Sequence, residues 1–275
     1  MAGPAGEGRE AVLSAPPEAS ALREPAIPVR QLFGIPVAAI TMSDVLEEVE
    51  RCVRARRRLH IGVVNAAKVV NMRRDAALRQ DVLQSDLILA DGASVVWAGR
   101  LLGRPVPERV AGIDLMLAIL AEAPRRGYRI FCLGATPAVL AGATARMAAE
   151  FPGLEVAGTQ HGYFTPEEEP AVAAAIAASR ADILFVAMTS PRKEQFLARW
   201  SPRLGIPVCH GVGGSFDVLA GKVRRAPAVW QRLGLEWLYR VKQEPRRLWR
   251  RYLVTNTLFA GMLATELVGL ARRRG

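Results

Sequence analysis

Apolar and polar residues follow two different periods along this chain, and the order of those periods predicts its architecture. Short apolar runs of strand length stand at 59–64 (LHIGVV), 86–90 (DLILA), 128–134 (YRIFCLG), 154–160 (LEVAGTQ), 181–188 (ADILFVAM) and 206–214 (IPVCHGVGG). Between them lie segments of helical spacing, at 66–84, 93–102, 113–123, 137–151, 167–179 and 191–200. Ahead of these, 32–40 (LFGIPVAAI) reads as a strand or hairpin. Thr41 then precedes a helix with Val45, Leu46, Val49, Cys52 and Val53 on one face. Apolar strands alternating with helices predict an α/β fold, an open and mostly parallel Rossmann-like sheet with helices on both faces.

Sheets of that kind bind ligands outside the carboxyl ends of their strands. Asn65, Asp91-Gly92, Gly134, Thr189-Ser190 and Gly211 to Gly214 all fall on that rim. Asp91 reads two ways: as the N-cap of the helix that follows, or as a carboxylate that takes a proton from an attacking hydroxyl. The loops LGATP (133–137) and GVGGSFD (211–217) can turn backbone N–H groups toward phosphate, or be plain turns. In TSPRKEQF (189–196), Arg192 and Lys193 occupy a helix's first turn, where cations are unfavourable unless an anion is near; the turn reads either as a phosphate signal or as a solvated helix face. His60, His161 and His210 show no metal-ligand spacing and read as strand-flanking or satisfied residues rather than catalytic ones. Cys52, Cys132 and Cys209 read as buried free thiols. There is no D-x-D, so a transferase holding its metal through that motif is disfavoured.

Charge changes the picture at one end. From Gly221 to Gly275 there are 13 Lys/Arg against 3 Asp/Glu, whereas residues 1–220 carry 24 against 23. A near-neutral body with a basic tail points to a polyanionic partner. Trp230, Leu233, Trp237 and Val241 form one helical stripe in that tail, and 252–271 is a mostly apolar segment with basic flanks. An amphipathic helix lying on a membrane or on the protein suits it better than a spanning one, because Glu266 lies within it. The organisation expected is a disordered leader over 1–30, an α/β core over 31–217 and a basic, Trp-rich helical appendage over 218–275. Two other classes fit poorly. A dinucleotide-binding oxidoreductase lacks its G-x-G-x-x-G, with Asn65-Ala66-Ala67 in its place. A nucleic-acid-binding protein lacks any reading motif.

Several blocks taken together resemble the WecG/TagA/CpsF glycosyltransferases: VNAAKVV, SDLILADGASVVWAGRLLGRPVPERVAGIDLM, FCLGATPAV, HGYF, ADILFVAMTSPRKEQF and GVGGSFDVLAGKVRRAPAVWQRLGLEWLYRVKQEPRR. The resemblance runs from about Phe33 to about Tyr252. It implies an inverting, metal-independent hexosyl or hexosaminyl transferase without a cofactor. Such an enzyme passes a sugar from a UDP-sugar to a polyprenol-diphosphate-linked saccharide during surface polysaccharide synthesis. It implies cytoplasmic work on the inner face of the plasma membrane against anionic lipid, self-association through the body, and no nucleic acid. A catalytically weak scaffold of a polysaccharide assembly complex is the alternative.

By the same resemblance, Asp91 is the base and Asn65 stands with it. Gly92, Arg109, Gly134, Thr136, Gly162, Tyr163, Thr189, Lys193, Glu194, Gly213, Gly214, Ser215 and Asp217 fall to the substrates. Arg240, Arg247 and Arg250 fall to the acceptor diphosphate and the membrane. The chain departs from the family pattern at Val63, where Thr is common, and at Lys193, where Gln is common.

Overall fold

A computed structural model describes residues 27–274. Most of the expected leader therefore lies outside the described residues, while Val29 and Arg30, assigned to it from the sequence, already pair in a strand. A two-stranded hairpin opens the fold, β1 (Val29–Leu32) and β2 (Ile35–Ala38). Its turn is Phe33-Gly34, with φ of 55° and 68°; two left-handed residues match the twist of the flanking strands. Then follows α1 (Met42–Arg54), whose N-cap Thr41 and third residue Asp44 bond each other's backbone reciprocally.

Six parallel strands make the main sheet: β3 (Leu59–Val64), β4 (Leu87–Ala90), β5 (Arg129–Gly134), β6 (Glu155–Gln160), β7 (Ile183–Ala187) and β8 (Val208–Gly211). They lie in the order β4-β3-β8-β7-β5-β6. The helices between them are α2 (Ala66–Arg74), α3 (Ala76–Leu83), α4 (Ala93–Leu101), α5 (Gly112–Arg126), α6 (Pro137–Glu150), α7 (Glu169–Ala178) and α8 (Arg192–Trp200). After β8 come α9 (Ser215–Leu219), α10 (Ala228–Arg232), α11 (Glu236–Gln243) and α12 (Pro245–Arg274). The predicted open α/β sheet is what forms. One face packs on α1, α5 and α6 through Val45, Val49, Leu115, Ile119, Leu140 and Met147. The other packs on α2 and α3 at one end and on α7 and α8 at the other.

Three expectations need correction. The helix expected over 66–84 is two helices, because Asp75 turns extended (φ −126°) and its side chain caps α3 through Leu78 N; a short carboxylate offers the backbone an alternative to the helix. The aromatic stripe of the tail is not one helix either. Gly234, at φ +69°, separates α10 from α11, so Trp230 packs on Tyr239 and Trp237 on Tyr252. The first turn of α8 is no solvated face, since Lys193 and Glu194 are buried. The three cysteines are buried free thiols as expected. Burial pushes Cys132 and Cys209 up to about 12.

The apolar tail segment lies on the protein. Phe259 of α12 is buried against the α2–α4 side of the sheet and stacks on Phe33 at 5.1 Å. The opposite face of α12 is exposed and uncharged from Leu253 to Val268, with Thr257, Ala260 and Ala264 between them. Arg250 and Arg251 precede that face and Arg272 follows it, while Glu266 lies off it, 4.0 Å from Arg104. By length and composition, Leu248–Arg272 is also long and apolar enough to cross a membrane.

Candidate active site

The strand β4 delivers Asp91 to the rim, and its neighbour β3 delivers Asn65. Asp91 does not cap its own helix: Gly92 is the N-cap of α4, without a side-chain bond. Instead one carboxylate oxygen accepts the N–H of Gly112, the first residue of α5, at 3.0 Å. The other accepts from Asn65 Nδ2 at 3.2 Å. Asn65 is itself tied down, its Oδ1 capping α2 through Lys68 N at 3.1 Å. The reading of Asp91 as the N-cap of the helix that follows does not hold; its carboxylate instead accepts the first N–H of α5, 21 residues further on.

Gly112 is held from beneath. His210 on β8 is fully buried, and its Nε2 lies 3.0 Å from the Gly112 carbonyl. Burial pulls His210 down to about 4, so the ring is neutral. A neutral ring with its proton on Nε2 donates to that carbonyl. Gly112 then joins His210 to Asp91 through the two ends of its peptide groups. Both carboxylate oxygens of Asp91 are therefore oriented by neutral donors, on a side chain that remains partly exposed.

A second carboxylate on the rim is treated differently. Glu194 in α8 receives Lys68 Nζ at 2.6 Å and Lys193 Nζ at 3.1 Å on one oxygen. Burial pushes the Glu194 carboxyl up, but the two lysines outweigh it and bring it down to about 2. Burial, reinforced by Lys193, pulls Lys68 down to about 8. The trio lines a small internal cavity with His60 and Ser85. The stem of Lys193 crosses Gly211, where a Cβ would come within 2.8 Å of its Cδ. The anion that the cationic first turn of α8 requires is Glu194. Arg192 turns away, donating to the Phe164 carbonyl and lying 4.5 Å over the Phe164 ring.

The remaining rim residues fall into two groups. Gly134, Thr136 and Gly162 form a braced corner after β5 and β6. Gly134 has φ +126° and a Cβ there would meet the Ala187 carbonyl at 2.4 Å, so only glycine fits. Thr136 caps α6, Tyr163 is exposed beside the corner, and Thr189 is exposed after β7. In the loop after β8, the Gly213 N–H donates to the Val186 carbonyl at 3.3 Å and the Ser215 N–H to the Val212 carbonyl at 3.3 Å, and the Ser215 hydroxyl also donates to the Val212 carbonyl at 2.7 Å. Asp217 pairs with Lys222 at 3.0 Å.

Arg109 lies in a charge network with Asp114 at 3.3 Å and Glu236 of α11. Arg240 and Arg250 are exposed and make no ion pair among the described residues; the Arg247 side chain lies outside them. Among the described residues, no group of three His, Cys, Asp or Glu side chains is placed to hold a metal ion. Lys68, Asp114, Arg225 and Glu236 carry no local signal in the sequence, because their roles depend on partners far along the chain.

Fold and rim together define an open α/β protein with a carboxylate fixed at the carboxyl end of its sheet, beneath a basic helical segment. Residues 30–273 match the glycosyl transferase WecG/TagA/CpsF family, and the chain belongs to that family. It is also similar to the N-acetylglucosaminyldiphosphoundecaprenol N-acetyl-beta-D-mannosaminyltransferase of Bacillus spizizenii (strain ATCC 23059 / NRRL B-14472 / W23), with 42% identity over 169 residues. That similarity covers 62% of this chain and 65% of the relative's length.

Proposed function

We propose that this protein is an inverting, metal-independent glycosyltransferase. It moves a hexosyl or hexosaminyl unit from a UDP-sugar to a polyprenol-diphosphate-linked saccharide in surface polysaccharide synthesis. The observation that carries the reading is Asp91, partly exposed at the strand-end rim and oriented through both oxygens, in a chain of this family. The relative's name supports the acceptor class.

In this scheme the acceptor hydroxyl oxygen attacks the anomeric carbon opposite UDP. The bond to the UDP oxygen breaks, UDP leaves with the electron pair, and Asp91 takes the hydroxyl proton. A single in-line displacement inverts the anomeric centre and needs one base. Asn65 keeps Asp91 aimed. Backbone N–H groups of the loop after Gly134 and of Gly214 favour the departing diphosphate; Arg240, Arg247 and Arg250 serve the acceptor's diphosphate. The outward face of α12 suits an anionic membrane surface, with apolar side chains between two sets of arginines. Work at the cytoplasmic face follows from where a nucleotide sugar and a lipid-linked acceptor meet.

The test is UDP release from a panel of UDP-sugars, with lipid-diphosphate mono- and disaccharides as acceptors, for wild type beside Asp91→Asn. Release that requires acceptor and falls at least a hundredfold in the variant is expected. Release unaffected by the substitution removes Asp91 from the role; no release from any pair favours the scaffold.

A further inference from the structure

Arg109 and Arg225 converge on the same two carboxylates, Asp114 and Glu236. Arg109, in the loop after α4, pairs with Asp114 at 3.3 Å and with Glu236. Arg225, in the segment between α9 and α10, pairs with Asp114 at 2.5 Å and lies 3.7 Å from Glu236 through Nε. That Nε is buried and has no hydrogen-bond partner, an open donor inside a site of converging guanidiniums.

The quartet adjoins Asp91 on both sides. Val110, next to Arg109, bonds the Ala90 carbonyl at 3.0 Å, and Ala90 precedes Asp91. Asp114 stands in the first turn of α5, whose leading N–H holds the Asp91 carboxylate. The two carboxylates differ in attachment. Asp114 is fixed in α5, a long helix packed on the sheet through Leu115 and Met116. Glu236 opens α11, a two-turn helix without a fully buried residue.

We propose that Arg109 and Arg225 are the two arms of a clamp for a substrate diphosphate, and that Glu236 is the internal anion holding the clamp until the diphosphate displaces it. The inference rests on the transferase reading and adds Arg225 and Glu236 to it. Two guanidiniums offer forks that match phosphate oxygens in pairs. With Glu236 in place the four charges cancel. With Glu236 displaced, Arg109 and Arg225 against Asp114 leave one positive charge for the incoming anion. Because Glu236 belongs to α11, its displacement frees that end of the tail to reseat over the ligand.

The diphosphate can belong to the nucleotide or to the lipid-linked acceptor, and two binding arms separate them. Affinity is measured by calorimetry for UDP and for a water-soluble short-chain prenyl diphosphate, on the full chain, with wild type, Arg225→Ala, Arg225→Lys and Glu236→Gln. The expected result has opposite signs. Arg225→Ala weakens one of the two ligands at least tenfold, Arg225→Lys weakens it less, and Glu236→Gln tightens the same ligand at least threefold. Thermal melts identify any variant that fails to fold, and Glu236→Gln carries the test if Arg225→Ala does. Unchanged affinity in all variants, or weakening in Glu236→Gln as well, overturns the clamp and leaves a structural strut. A wild-type protein that binds neither diphosphate removes the transferase reading itself.

Discussion

Asp91 and Glu194 are both carboxylates near the carboxyl ends of the sheet, one after β4 and one in α8 after β7. Asp91 is partly exposed and receives two neutral donors, Asn65 Nδ2 and Gly112 N–H. Glu194 is buried and receives two ammonium groups. Neutral donors orient a carboxylate while leaving it room to exchange a proton with a ligand. Two cations lock the charge in place, and the carboxyl held down to about 2 accepts no proton near neutrality. Surroundings, rather than residue type, separate a group fit for chemistry from one fit for architecture.

The sharpest break of this contrast is a pair of isosteric substitutions. Asp91→Asn should lower kcat by ~10²–10⁴-fold, about 3–5 kcal/mol of barrier, with little change in melting temperature. Steady-state rates beside a thermal melt check it, and a large loss of stability would move Asp91 to the architectural side. Glu194→Gln should do the converse. Leaving Lys68 and Lys193 facing each other without their anion should cost about 3–5 kcal/mol of stability, read by urea unfolding.

Acid titration sharpens the same point. The Glu194 carboxyl lies at about 2 against its ordinary 4.5, so its ionised form favours the folded state. That contribution is fully present above about pH 4.5 and is lost as pH falls toward about 2. Stability of wild type should therefore fall across this window more steeply than that of Glu194→Gln, measured by denaturant midpoints at each pH. The smallest effect is at Asn65. Asn65→Ala removes the α2 cap, worth ~1 kcal/mol, together with one of the two donors to Asp91. Asn65→Asp keeps a capping oxygen but sets a like charge against Asp91. Both variants should lose activity, and the Asp variant should be the less active of the two, because its like charge displaces the Asp91 carboxylate as well as removing its donor; steady-state rates check it.

The strands were legible because each is a short apolar run ended by a polar or glycine residue. Ile61, Leu89, Phe131 and Leu184 face the cores that such runs predict. The break at Asp75 and the turn at Gly234 were harder, since a single residue there overrides an otherwise continuous helical period. At the site, the rim position of Asp91 could be read from its place after LILA. Its partners could not. The Gly112 N–H comes from a helix that starts 21 residues later, and the His210 ring that braces Gly112 comes from β8, two strands away across β3. The Lys68–Glu194 pair is equally non-local, joining residues 126 positions apart. Periodicity reports which face a residue takes, not which distant residue shares it.

The mounting of Asp91 has a thermal consequence. Its oxygens are fixed by α5 and by Asn65, and α5 is fixed through Gly112 to His210 in the middle of the sheet. Such a side chain has little rotational freedom left to lose when a ligand arrives. Its ordering is completed during folding, so the entropy of activation should carry only a small share from this residue.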